Sequence, residues 1–81
     1  MKIYLRLFAN ARDLAGFGEQ AVDLEGNPRA AEVLDYLSRV NPEFNAWRRS
    51  IRLAVNRRYV DEGHVLSEND EVAVIPPVSG G

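Results

Sequence analysis

Apolar and polar residues alternate from the first residues of the chain. In KIYLRLF (residues 2–8), Ile3, Leu5 and Leu7 fall on one side, and Tyr4, Arg6 and Phe8 on the other. A period of two is the mark of a strand with one buried face. Asn10 is placed to cap a short helix over 11–15, and Gly16 to end it. EQAVDL (19–24) predicts a second strand with Val22 and Leu24 inward. The period then changes. Ala30, Val33, Leu34 and Leu37 stand at i, i+3, i+4 and i+7, a single helical stripe. Asn27-Pro28 predicts its start, as cap and first helical residue, and Asn41-Pro42 its end. Phe44 and Trp47 form one more helical turn or a packed loop.

Alternation returns in RLAVN (52–56), with Leu53 and Val55 inward. A turn is predicted at Arg57-Arg58, a short return at Tyr59-Val60, and another turn at Glu68-Asn69-Asp70. EVAVI (71–75) is the last strand, with Val72 and Val74 inward and Ala73 and Ile75 outward. The order β-(α)-β-α-β-β-β predicts an α+β fold, one main helix covering one face of a mixed sheet.

At 81 residues, this is expected to be one domain, with 76–81 as a flexible functional tail. The composition, 46% hydrophobic and 27% charged, is that of a globular protein. A net charge of −2 argues against nucleic acid as partner. No apolar run is long enough for a membrane helix, and the N-terminus lacks a signal-peptide layout, so a cytoplasmic location is expected. The absence of cysteine excludes disulfides, a thiol nucleophile and Cys-based metal sites.

Local clusters offer little chemistry. Arg48, Arg49, Arg52, Arg57 and Arg58 are crowded together, but Asp61, Glu62, Glu68, Asp70 and Glu71 follow, which reads as a mixed-charge solvated face. His64 stands alone, without the companions a zinc site needs. Ser67 and Ser79 have no evident base. Gly16-Phe17-Gly18 lacks the spacing and lysine of a phosphate loop.

The end of the chain, VIPPVSGG, is different. Pro76 and Pro77 cannot continue a hydrogen-bonded ladder and favour extended backbone. Six residues past Ile75 span at most about 20 Å. Glycines without Cβ pass through a channel too narrow for side chains. The terminal carboxylate is the reactive group such a probe carries.

LRLFANARDLAG (5–16), LAVN (53–56) and DEVAVIPPVSGG (70–81) together resemble the MoaD/ThiS family of ubiquitin-like sulfur carriers, in the form found as the small subunit of molybdopterin synthase. The resemblance spans the whole chain. It implies a β-grasp fold, with the first and last strands parallel and adjacent at the sheet centre. It also implies a chemistry for Gly81. An E1-like adenylating enzyme uses ATP to convert the carboxylate to an acyl-adenylate. A sulfur donor displaces AMP and leaves a thiocarboxylate, which gives its sulfur to cyclic pyranopterin monophosphate. Gly80, Ser79 and Val78 would thread the active-site channel of a large catalytic subunit, in a heterotetramer. Catalytic side chains belong to that partner, and no tightly bound cofactor or metal is expected here.

Phe8, Tyr59 and Ile75 are the expected docking residues: Phe8 and Ile75 would share a face near the tail root if the end strands pair. The alternative for Phe8 is burial under the first helix. Other functions remain open: sulfur transfer to thiazole (thiamine) or tRNA, conjugation of Gly81 to a lysine as a ubiquitin-like modifier, or passive binding.

Overall fold

A computed structural model describes residues 1–76. The elements are β1 (Lys2–Leu7), α1 (Ala9–Ala15), β2 (Glu19–Asp23), α2 (Ala31–Val40), α3 (Phe44–Trp47) with a 3-10 turn at Arg48–Ser50, β3 (Arg52–Val55), β4 (Arg58–Val60) and β5 (Glu71–Ile75). They form one five-stranded sheet in the order β2-β1-β5-β3-β4. β1 and β5 run parallel side by side, Leu7 opposite Val74, and the other neighbours are antiparallel. This is the β-grasp topology. The parallel central pair has to be joined by a crossover, and everything between β1 and β5 supplies it.

The inward residues of the strands meet the stripe of α2. Ile3, Leu5, Val72, Val74, Val33 and Leu37 are at most 1% exposed. Phe44 closes one end of this core, its ring 5.9 Å edge-on from Trp47, so the segment after α2 is a helical turn. Fully burying a side chain of this size stabilises by about 1.5–3 kcal/mol.

Three element boundaries differ from the sequence expectation. First, α1 begins two residues earlier than predicted. Asn10 lies inside it, and Phe8 occupies the cap position without a side-chain cap bond. Ala9, at φ 48°, makes the left-handed step that starts the helix, while Gly16 ends it at φ 86° as predicted. Second, α2 starts at Ala31, not at Pro28. Pro28 is buried, and its carbonyl accepts from Leu66 N–H (2.8 Å). Arg29 bridges to Val65, and Arg29 N–H donates to Glu32 Oε2 (2.9 Å). Tertiary pairing with the segment before β5 claims these residues. Third, the β3–β4 turn is Asn56-Arg57, one residue earlier than predicted. Both have positive φ (50° and 72°), the form that matches strand twist.

Asn56 does more than turn the chain. Its N–H donates to Glu71 O (2.8 Å), and its Oδ1 accepts from Glu71 N–H (3.0 Å). Its Nδ2 donates to Oδ1 of the buried Asp70 (2.9 Å), whose Oδ2 accepts from Ser67 N–H (2.8 Å). These bonds lock the hairpin to the first residue of β5, and so fix where β5 begins.

Candidate functional site

The helices cover one face of the sheet. The other face is open, and the strand registers show what it carries. One row across it reads Glu19, Arg6, Ala73, Ala54, Tyr59. Ile75 faces Arg52 in the next row, where Phe8 continues β1 one residue beyond the Leu7–Val74 pair. Tyr4 lies one row back, between Ala21 and Glu71. Strand alternation has sent these side chains outward; the small Ala54 and Ala73 make the middle of the face flat.

Phe8 is 43% exposed and Tyr59 63%, while Ile75 is half-buried. The buried residue of α1 is Ala11, not Phe8. The Arg6 guanidinium lies 5.7 Å from the Phe8 ring centre, and that of Arg52 lies 4.7 Å from Tyr59. Such cation–π contacts hold aromatic rings in place at an exposed surface. All three predicted docking residues therefore lie on one face. Phe8 and Ile75 are close to the point where the chain leaves the sheet, and Tyr59 is two strands away from β5. Tyr4, exposed to 43%, belongs to the same face and was not singled out from sequence, although the alternation that places Phe8 outward also places Tyr4 there.

Arg6 sits between Glu19 (3.4 Å) and Glu71 (3.7 Å). Its Nε is buried and makes no hydrogen bond. Beside it an open groove of about 560 Å³ runs between Tyr4, Glu19, Gln20 and Glu71. A second, of about 410 Å³, lies between Phe8, Arg12 and Gly18. Among the described residues, no group of three or more His, Asp or Glu side chains could hold a metal ion. No described helix is long and apolar enough to cross a membrane.

The arginine-rich run divides. Arg48 is spent internally: its guanidinium donates to Asp35 (2.7 Å) and Glu62 (3.0 Å). The hydrogen bonds to Asp35 and then Glu62 raise its pKa above the ordinary value. Arg52 stacks on Tyr59, whereas Arg49, Arg57 and Arg58 are exposed. Arg48, paired with Asp35 and Glu62, and the exposed arginines beside it form a mixed-charge face, as the sequence predicts for Arg48–Arg58 and the acids that follow.

β5 carries the chain to Pro76, which is buried. Val78, Ser79, Gly80 and Gly81, assigned from sequence to threading and reaction, lie outside the described residues.

The model of the family described as ThiS matches residues 5–81 of this sequence. The chain belongs to the ThiS family. A curated relative of this ThiS-family chain, the molybdopterin synthase sulfur carrier subunit of Chlamydomonas reinhardtii, is 32% identical over 83 aligned residues, covering 100% of both chains. Among solved structures, a putative molybdopterin converting factor subunit 1 from Pyrococcus furiosus is 28% identical with a TM-score of 0.86, covering 96% of this chain and 99% of that one. The small archaeal modifier protein 1 of Haloferax volcanii is 26% identical with a TM-score of 0.81, covering 95% of this chain and 98% of that one.

Proposed function

We propose that this chain is the sulfur-carrier subunit of a molybdopterin synthase. The observation that carries the reading is end-to-end similarity to curated sulfur carrier subunits, on a fold whose last strand lies at the sheet centre and precedes Gly80-Gly81 in the sequence. In this reading the globule is a non-catalytic handle in the cytoplasm, a single domain whose C-terminal residues form its working tail. A carboxylate is a poor electrophile, so an E1-like enzyme adenylates Gly81 with ATP. A sulfur donor then attacks the acyl carbon, AMP departs, and a thiocarboxylate remains. The sulfur passes to cyclic pyranopterin monophosphate inside a large catalytic subunit, in a heterotetramer, with Gly80, Ser79 and Val78 threading its channel.

The open sheet face suits the docking this requires. Phe8, Ile75 and Tyr59 offer apolar and aromatic area, and Arg6 and Arg52 offer a charged frame. Aromatic and arginine side chains are the residue types that anchor interfaces most often.

The test is intact mass after incubation with an activating enzyme, ATP and a sulfur donor. A gain equal to one oxygen replaced by sulfur, located at Gly81 by fragmentation, is the expected result. Unchanged mass refutes the carrier reading. A second reading, conjugation of Gly81 to a lysine of another protein, draws on the Haloferax relative named as a modifier protein. It is supported instead if a ladder of conjugates forms in a lysate.

A further inference from the structure

The sequence carries one lysine, Lys2, beside nine arginines, and no cysteine. For a protein whose end is made electrophilic, this matters. A lysine amine attacks an acyl-adenylate: the new C–N bond forms, the C–O bond to AMP breaks, and the ammonium proton goes to solvent. The guanidinium of arginine keeps its proton and its charge and does not act as a nucleophile.

The fold then places the chain's two amines far from Pro76, the last described residue. Lys2 opens β1, and its carbonyl accepts from Asn69 N–H (2.7 Å), level with the residues before β5. From the level of Asn69 to that of Ile75 is six strand residues, about 20 Å. The N-terminal amine lies at the same pole, donating to Leu24 O (2.9 Å). Pro76, which follows the end of β5, lies at the other pole. Past the buried Pro76, five residues extend at most about 17 Å. A nucleophile well within that reach experiences a millimolar effective concentration, whereas the Lys2 amine, even at the tip of its side chain, stands at the limit of full extension and experiences almost none. Inside that reach the cations are arginines: Arg52 opposite Ile75, and Arg6 opposite Ala73.

We propose that the surroundings of the tail root are kept free of amines so that the activated terminus survives attack by its own chain. The inference rests on Gly81 being the activated group, and its test does not need the enzyme. A C-terminal aryl thioester is prepared chemically at Gly81 and followed by mass spectrometry at pH 9. Lys2 and Met1 should give no intramolecular amide, and the wild-type thioester should decay by hydrolysis alone. Arg52→Lys should consume it at least tenfold faster, as a Lys–Gly81 amide mapped to position 52. Glu25→Lys, at the far pole, should behave as wild type. The proposal is overturned if the wild type cyclises through Lys2 or Met1 at a rate within threefold of Arg52→Lys, or if Arg52→Lys forms no such amide while its circular dichroism shows it folded. Because the thioester is installed chemically, a failure here counts against the placement, whereas an unchanged mass in the enzymatic assay counts against activation of Gly81 itself.

Discussion

Replacing Asn56 by alanine removes two side-chain hydrogen bonds, to Glu71 N–H (3.0 Å) and to Asp70 Oδ1 (2.9 Å). At about 1 kcal/mol each, they contribute about 2 kcal/mol. Position 56 has φ 50°, a left-handed conformation that asparagine tolerates better than alanine does, which adds up to about 1 kcal/mol. The sum is about 2–3 kcal/mol, against roughly 4–12 kcal/mol expected for a domain of this size. That corresponds to a fall in Tm of about 10–20 °C. Urea unfolding, followed by fluorescence of the half-buried Trp47 and by circular dichroism, measures it. The midpoint should fall with the slope unchanged. Asn56→Gly loses the same bonds but relieves the left-handed penalty, so it should be the milder variant by about 1 kcal/mol. A loss below about 1 kcal/mol for Asn56→Ala, or a glycine variant as damaging as the alanine one, would show that this network does not hold β5 as argued.

The remaining expectations are simpler. Phe8→Ala and Ile75→Asp should each weaken binding to the large subunit by about 2 kcal/mol or more. Both variants should still unfold cooperatively, and calorimetric titration reads the affinity. Arg48→Ala should cost about 0.5–1.5 kcal/mol in a urea melt, because it removes the shared partner of Asp35 and Glu62, two carboxylates that water still reaches. The raised pKa of Arg48 makes its contribution full wherever unfolded arginine is protonated, lost only as pH rises through the folded value. Its loss should therefore be independent of pH from 6 to 9, about neutrality. Gly16→Ala, at φ 86°, should cost about 1 kcal/mol by the same melt, although nothing would crowd the new Cβ.

What could be read from the sequence, and what could not, divides along a physical line. Alternation placed Ile3, Leu5, Leu7, Val72 and Val74 inward, because one buried face imposes a period of two whatever the neighbours are. The same logic put Phe8, Tyr4 and Ile75 outward. Local signals failed where distant residues decided. Asn27-Pro28 has the composition of a helix start, but the carbonyl of Pro28 is bound by Leu66 and Arg29 is bridged to Val65. Asn10 is a good cap in isolation, yet the left-handed Ala9 starts the helix before it. Nor does periodicity reveal which strands touch: the adjacency of β1 and β5, which brings Phe8 beside Ile75, came from family resemblance. Tyr59 joins that face only through the chain of neighbours Ala73, Ala54 and Tyr59 across three strands.

The position of β5 between β1 and β3 has a mechanical consequence. A partner that grips the end of the chain pulls along the axis of β5, while bonds on both of its edges run across that axis. Load is then shared by many bonds at once in shear, instead of opening them one by one like a zip. Tension transmitted through the tail should leave the globule intact, and stretching single molecules between residue 2 and the tail should show one abrupt rupture at high force.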